Sequence, residues 1–251
     1  MSSENIQETL DEMKIIHNNI LNFIEEEEND DENFKNLIKF LNNHNIEKDL
    51  HKFKLFLLLL SRIINNHKRD THFFIKIEKI IDFYKEEIKN KFTNHQIFKI
   101  FKKDKRILLY LIEHQLITID KYITDKMTTE KYKNLKYTEF FYPEIQNFLD
   151  FQSKIFYKVY NEEKVPQIFI DKRKIGENDN ILCEMIREDS IDDFIIYVTK
   201  SNISLNISIY RSVFETNSFL LKNNEVSLIE YAAFFGAVQI FQYLKYNGIE
   251  M

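Results

Sequence analysis

Apolar residues recur at three- and four-residue steps along the first half of the chain, the spacing that aligns side chains on one helical face. The first set comprises Ile6, Leu10, Met13, Ile16, Ile20 and Phe23. Similar sets begin at Phe34, Phe53 and Phe74, with short polar breaks at 65–70 and 93–95. The pattern predicts a succession of amphipathic helices, with connections short enough for antiparallel neighbours.

An acidic block follows the first of these helices. Seven of the eight residues at 25–32 are Asp or Glu. Such a run repels itself and favours solvent, so it predicts a mobile connector; an acidic docking tail or a cation site is the alternative. We therefore expect residues 1–32 to form an N-terminal helix and an acidic connector.

Residues 33–165 are predicted to form a helical domain of unknown function. Whether this domain consists of degenerate repeats is left open. Its last part, 120–160, is rich in Phe and Tyr around Pro143. Core packing is the expected role of these rings, and an exposed groove for peptides is the alternative. The stretch 166–179, which contains Gly176, is predicted to be a boundary loop.

Glycine and proline are scarce, with three and two residues among 251. This scarcity leaves helices unbroken and predicts an all-α protein. Two of the three glycines, Gly236 and Gly248, nevertheless lie in one short stretch. Glycine is the usual residue just past the end of a helix, so these two positions predict two successive helix ends.

The residues around these glycines predict a helix-turn-helix unit. Ser227 and Glu230 have the spacing of a capping box at the start of a helix over 228–235, which Gly236 ends. The second helix has its apolar stripe at Val238, Phe241 and Leu244, and Gly248 closes it. Ala232 and Ala233 are small, so another helix can approach closely, and the unit is therefore predicted to stack on a neighbour.

This unit resembles an ankyrin repeat, whose pattern runs Thr-Pro-Leu-His-x-Ala, a glycine turn, a second apolar helix and a closing glycine. The matching positions are Ser227 for Thr, Ile229 for Leu, Ala232 for Ala, Gly236 for the turn and Gly248 for the closing glycine. Leu228 departs from Pro and Glu230 from His. The departures remove the bonding between Thr and His, for which the capping box is a substitute.

A second copy is predicted upstream, over 179–205. When Asp189 is matched to Gly236, the helix caps and apolar positions of the two segments coincide. The copies are then farther apart than the ankyrin period of about 33 residues, so an insertion is required, within 206–224. A third, more degenerate copy is a candidate at 98–120, with its phase left open. The fold class is therefore predicted as an all-α, helical-hairpin α-solenoid with ankyrin-like repeats over 178–251. The whole pattern is similar to divergent ankyrin-repeat proteins of protists, which carry a helical domain of unknown function before their repeats.

No polar capping unit is evident at the end of the chain, 249–251. A repeat array without one exposes an apolar face. We expect the array to be incomplete at the C-terminus, either as a fragment of a longer array or as an end that pairs with another molecule.

Charge and cysteine usage narrow the function classes. A formal net charge of −5 gives no bulk attraction for nucleic acid or anionic lipid. The single cysteine, Cys183, excludes an internal disulfide and is expected to be an inert buried thiol. The polar N-terminus lacks a secretory signal, and the apolar run 55–60 is too short to span a membrane. We expect an intracellular protein, cytoplasmic rather than nuclear.

Sequence motifs for catalysis, phosphate binding and metal binding are absent. The three glycines cannot form a dinucleotide or triphosphate loop, and no G-x-S-x-G or H-E-x-x-H occurs. The seven histidines have no spacing typical of metal ligands. We therefore expect neither an enzyme nor a cofactor nor a metal, and no small-molecule substrate.

The expected function is a non-catalytic scaffold that binds another protein. The resemblance to ankyrin proteins implies contacts through the tips before each first helix, at Asn223, Asn224 and Glu225 and at Asp179 and Asn180. Two alternatives stay open. One is binding of nucleic acid or an anionic surface through the basic cluster Lys99, Lys102, Lys103, Lys105 and Arg106. The other is an enzyme without a recognisable motif.

Overall fold

The computed structural model describes residues 3–26, 30–66, 72–149, 166–217, 220–221 and 225–251. Within these ranges the chain is mostly helical, which confirms the all-α prediction, and the sheet consists of two short strands. The chain divides into an N-terminal unit, 1–103 with 110–117, and a C-terminal unit, 104–109 with 118–251. The segments 1–32, 33–165 and 178–251 stay a prediction from sequence pattern.

The N-terminal unit is a set of packed helices. Its elements are α1 (Ser3–Glu25), α2 (Asp30–Asn43), α3 (Leu50–Asn66), α4 (Phe73–Phe83), α5 (Lys85–Lys91), α6 (Asn94–Phe101) and the C-terminal part of α7 (Lys105–Glu113). Helix α1 packs against α2, α3 and α4. The apolar stripes predicted from periodicity supply the core, with Ile16, Ile20, Phe53, Phe56 and Ile77 fully buried.

Part of the acidic block belongs to a helix. Asp30, Asp31 and Glu32 form the first turn of α2, where negative charge is favoured by the helix dipole, and Lys79 pairs with both aspartates. The predicted connector is therefore wrong for these three residues. Residues 27–29 of the block lie outside the described residues.

The C-terminal end of α1 is held by a buried lysine. Lys76 of α4 donates from Nζ to the carbonyl oxygens of Phe23 (3.0 Å) and Ile24 (3.1 Å), and to that of Glu26. The last carbonyls of a helix have no partner within the helix and carry the negative end of its dipole, so an ammonium group stabilises them. This contact explains why a lysine side chain is almost fully buried here.

The C-terminal unit begins with short helices and continues with longer ones. These are α8 (Lys121–Met127), α9 (Glu130–Lys133), α10 (Tyr137–Phe140), α11 (Tyr142–Ile145), a 3₁₀ turn (Gln146–Phe148) and α12 (Gln167–Ile175). Tyr137, Phe140, Phe141 and Tyr142 are buried, so the rings in this stretch pack in the core as expected. The rings within 150–165 lie outside the described residues.

Helix α12 occupies 167–175 of the boundary loop predicted for 166–179, so that prediction is wrong for these residues. Pro166 precedes the helix, and Gly176 ends it in the left-handed conformation with φ +75°. Gly176 is a loop signal, but Pro at a helix start and Gly just past a helix end are also the normal boundaries of a helix. Buried Arg173 anchors α12 by donating to both carboxylate oxygens of Glu144.

Two helical pairs complete the C-terminal unit. The first pair is α13 (Ile181–Arg187) with α14 (Ile191–Lys200), and the second pair is α15 (Leu228–Phe235) with α16 (Val238–Tyr246). Helix α13 packs on α15 and α14 on α16. Between the pairs, β1 (Ser208–Tyr210) runs antiparallel to β2 (Glu225–Ser227), with Ile209 opposite Val226. The two pairs thus share one apolar core.

We expect alanine substitutions at Gly176 and Gly248 to destabilise the protein to different extents. Gly176 and Gly248 both have positive φ, +75° and +78°, so a Cβ adds strain of about 1–2 kcal/mol at either position. At Gly176 the Cβ would also meet Arg106 Cβ at 3.1 Å and Thr216 Oγ1 at 3.2 Å, whereas at Gly248 it meets nothing within 4 Å. Thermal unfolding followed by circular dichroism should show a larger fall in Tm for Gly176→Ala than for Gly248→Ala. An equal fall would contradict the role of the close approach.

Candidate functional site

The two helical pairs have the same turn between their helices. Asp189 (φ +50°) and Gly236 (φ +67°), the residues matched in sequence, both adopt the left-handed conformation. The next amide in each pair then donates a hydrogen bond to a carbonyl of the first helix. Ser190 donates to Met185 (3.0 Å) and Ala237 donates to Ala232 (2.9 Å). The backbone therefore repeats in the register that the sequence match predicts.

The second helix of each pair also ends in the same way. Asn202 (φ +49°) and Gly248 (φ +78°) are left-handed, and the following amide donates to the helix, from Ile203 to Val198 (2.9 Å) and from Ile249 to Leu244 (3.1 Å). This geometry satisfies carbonyls at the helix end. It occurs in the first pair without a glycine, since Asn tolerates the left-handed region.

The candidate third copy has local signals of the same kind, and these define its phase. Thr93 and Gln96 form a capping box at the start of α6, as Ser227 and Glu230 do at α15. Gln115 is left-handed (φ +57°), and the amide of Leu116 donates to the Leu111 carbonyl (2.8 Å). These signals favour a start at Thr93, where the T-x-x-Q spacing lies within the stretch predicted as a polar break. The residue after α6, Lys102, is right-handed (φ −59°), unlike Asp189 and Gly236, so the third copy stays a prediction.

The second pair begins as predicted, and the bounds 228–235 for its first helix are confirmed. The amide of Glu230 donates to Ser227 Oγ (3.3 Å), and the amide and hydroxyl of Ser227 donate to Glu230 Oε2 (2.9 and 2.7 Å). These bonds lower the pKa of Glu230. Ala232 is fully buried in the core between the pairs, whereas Ala233 is exposed, so only Ala232 serves a close approach.

Asp189 joins the two pairs directly. Its carboxylate accepts from the amides of Gln239 and Ile240, both at 3.0 Å, at the start of α16. Ala237, which precedes α16, has no side chain able to cap these amides. A residue of the first pair therefore provides the N-terminal cap for the second. Arg187 adds a further link by donating to the hydroxyl of Tyr231 at 3.0 Å.

The predicted tip residues of the first pair make hydrogen bonds within the unit. Asp179 accepts from Lys172 Nζ (2.8 Å) and Ser212 Oγ (2.6 Å); partial burial raises its pKa, but these two bonds outweigh that effect and lower it. Asn180 caps α13 by accepting from the Leu182 amide at 2.9 Å. Both side chains therefore have an internal role, and their contact with a partner stays a prediction.

The predicted tip residues of the second pair lie at the strand β2. Glu225 is exposed and stands directly opposite Tyr210 of β1, whose exposed fraction is 72%. Directly opposite residues of an antiparallel pair point to the same face, so these two side chains form one surface. Asn223 and Asn224 lie outside the described residues. Tyr210 was missed because its position becomes informative only once the register with Glu225 is known.

The insertion between the pairs is packed against the unit over its described part. Phe214 contacts the ring of Phe169 at 5.4 Å between centroids, and Leu220 and Leu221 are buried. Thr216 donates from its amide (3.1 Å) and its hydroxyl (2.8 Å) to the Gly176 carbonyl. The insertion therefore packs against the unit over its described part.

The basic cluster is not wholly a surface feature. Lys99 and Lys103 are exposed, but Lys105 is fully buried, with Nζ donating to the carbonyls of Val213 (2.8 Å) and Leu135 (3.2 Å) and lying 5.1 Å from the centre of the Phe140 ring. Lys105 therefore cannot contact a phosphate. The sequence shows charges but does not show which of them the fold buries.

Cys183 is fully buried, as expected, and burial raises its pKa to about 12. The thiolate required of a nucleophile is therefore disfavoured. In the described parts of the chain, His, Cys, Asp and Glu form no group of three that could hold a metal ion. None of the helices described is long and apolar enough to cross a membrane.

Comparisons with models of protein families, with curated proteins and with solved structures found no match for this chain. Its class therefore follows from its own geometry: a mostly helical protein in which two helical pairs stack within the C-terminal unit.

Substitutions of Asp189 should test its two roles, as the cap of α16 and as the left-handed residue of the turn. Asp189→Ala removes the cap of α16, which should lower the free energy of unfolding by about 1 kcal/mol. It also places alanine in the left-handed region, which should lower it by a further ~1–2 kcal/mol. Asp189→Asn keeps an acceptor oxygen and tolerates this conformation, so it should cost much less. Urea unfolding would measure both, with Asp192→Ala as the exposed control. Equal losses for the two substitutions at 189 would contradict this assignment.

Buried Lys105 should make stability rise with pH. Burial lowers the pKa of Lys105 to about 7. The nearby carboxylates of Glu215, Glu139 and Asp104 raise this pKa, but their effect is smaller than that of burial. An unfolded lysine has a pKa of about 10.4, so above pH 7 the unfolded state binds a proton that the folded state lacks. The free energy of unfolding should therefore increase from pH 7 to about 8.5, by at most about 1.4 kcal/mol per pH unit.

The measurement is urea unfolding of the wild type and Lys105→Met, with exposed Lys103→Met as the control. The wild type and the control should show the rise, and Lys105→Met should not. The range ends near pH 8.5 because ionisation of Cys183 in the unfolded state then acts in the opposite direction. The same slope in all three proteins would contradict the assignment to Lys105.

Proposed function

We propose that this chain is a non-catalytic protein-interaction scaffold built from ankyrin-like helical repeats. The observation that carries the proposal is the repeated backbone of the two helical pairs, which share left-handed positions and hydrogen bonds and stack helix on helix. The antiparallel strand pair between them supports it further.

Such an arrangement suits binding more than catalysis. Stacked repeats contact mainly their neighbours, and their aligned ends and faces provide extended surfaces for a partner. Among the described residues, the titratable groups with large pKa shifts are held inside the packing. Burial raises the pKa of Cys183 and lowers that of Lys105, and it raises the pKa of three tyrosines, Tyr84, Tyr137 and Tyr231. The proposal includes an intracellular location, because a single buried thiol suits a reducing compartment. Within the cell we propose the cytoplasm and not the nucleus.

The proposed contact surface is the tip formed by β1 and β2. Tyr210 and Glu225 stand side by side there, with Ile209 and Val226 buried beneath them. Tyrosine is enriched at protein interfaces because it combines a large apolar ring with a polar group and few rotatable bonds. The tip is held against the unit by Asn178, whose Nδ2 donates to the Tyr210 carbonyl at 3.1 Å, so it can present a defined shape to a partner.

The experiment is affinity purification from native cells with quantitative mass spectrometry. The test variant is Tyr210→Arg with Glu225→Arg, and the control is Thr199→Arg with Gln242→Arg at exposed helix positions. We expect a specific protein partner to be lost in the test variant and kept in the control, with both folded by circular dichroism. Retention of every partner would overturn the tip assignment. Recovery of RNA alone, or of no partner, would contradict the scaffold.

A further inference from the structure

The first helical pair carries an open groove of about 480 Å³ along α13 and α14. Its apolar lining consists of Ile181, Met185, Ile196 and Tyr197. Ile181 and Ile196 have exposed fractions of 40% and 49%, high for isoleucine. The groove therefore contains apolar surface that nothing described in the C-terminal unit covers.

The repeated turns show what this face is. In the register that matches Asp189 to Gly236, six groove positions, 181, 184, 185, 188, 193 and 197, correspond to Leu228, Tyr231, Ala232, Phe235, Ile240 and Leu244 of the second pair. All six of those residues are buried in the core shared with the first pair. The groove is therefore the stacking face of the first pair, shaped to receive helices.

The chemistry of the groove differs from that of the buried stacking face. Glu184, Glu188 and Asp193 stand where the second pair has Tyr231, Phe235 and Ile240. An apolar helical pair placed here would bury three carboxylates against one ammonium group, that of Lys200, and one hydroxyl, that of Ser190 on Glu188 at 3.4 Å. Burying at least two carboxylates without a cation is unfavourable. A further repeat of the same kind, or a second copy presenting such a face, therefore does not fit.

We propose that this groove binds a basic amphipathic helix of a partner protein. The apolar stripe of that helix would cover Ile181, Met185, Ile196 and Tyr197, and its Lys or Arg side chains would pair with Glu184, Glu188 and Asp193. Three carboxylates against one ammonium group, Lys200, give the groove a net negative charge. The inference rests on the proposed scaffold function and names a site separate from the β1–β2 tip.

The probe is a labelled synthetic helix of about 16 residues, with leucines at i, i+3, i+4 and i+7 spacing and lysines beside them. Its matched control has glutamate at each lysine. Fluorescence anisotropy with the full chain at about 50 mM salt, where exposed charges are weakly screened, compares the two. We expect the lysine peptide to bind about tenfold tighter or more, and the difference to shrink as salt is added.

Two groove variants test the apolar and the charged contacts separately. Ile196→Asn, which removes apolar surface without adding charge, should weaken binding of the lysine peptide without unfolding the chain, because Ile196 is half exposed. The triple variant Glu184→Lys, Glu188→Lys and Asp193→Lys should reverse the preference towards the glutamate peptide. A matched triple variant at exposed positions elsewhere, Glu130→Lys, Asp171→Lys and Glu250→Lys, has the same net charge and should keep the wild-type preference.

If both triple variants lost the preference for the lysine peptide equally, the preference would come from the net charge of the chain, and the proposed site would be overturned. Absence of binding by either peptide, or binding unchanged by Ile196→Asn, would also overturn it. A dimer of the chain that Ile196→Asn abolishes would assign the groove to a second copy and reject the proposed partner. These outcomes concern the groove only, since the scaffold itself is tested by the tip variants, which leave all groove residues intact.

Discussion

The carboxylate of Asp189 is the contact on which the arrangement of the C-terminal unit depends. The backbone of Asp189 is left-handed at the turn of the first pair, and its carboxylate accepts two amides at the start of α16. Ala237 has no side-chain acceptor, so the second pair requires this carboxylate for its own helix start. One side chain thereby couples the shape of one pair to the position of the next.

This coupling determines where the two proposed surfaces lie. Because α13 packs on α15 and α14 on α16, the second pair covers one face of the first and leaves the groove face open. The strands between the pairs bring Tyr210 beside Glu225 at the tip. The tip and the groove differ in chemistry, since the groove has exposed isoleucines among carboxylates whereas the tip pairs a tyrosine with a glutamate. A scaffold with both could hold two segments of a partner at once.

Local signals explain what the sequence could predict. The helix at 228–235 was bounded correctly because a capping box and a left-handed glycine act within a few residues. The match of Asp189 to Gly236 succeeded for the same reason. Helix α12 was missed because Pro166 and Gly176 mark loops as often as helix ends, and three-residue strands show no clear period. Burial of Lys105 and the exposure of the groove depend on distant residues, which local patterns do not contain.

The antiparallel ladder of β1 and β2 has a consequence for how such a chain can vary. By pairing Ser208 with Ser227 and Tyr210 with Glu225, it brings the two ends of the insertion together, whatever chain runs between them. Lengthening a loop whose ends are already joined is inexpensive, about 0.6 kcal/mol for each doubling. Val213, Thr216, Leu220 and Leu221 pack against the unit, so length changes that keep these contacts can diversify the sequence at the tip while the stacked helices keep their register.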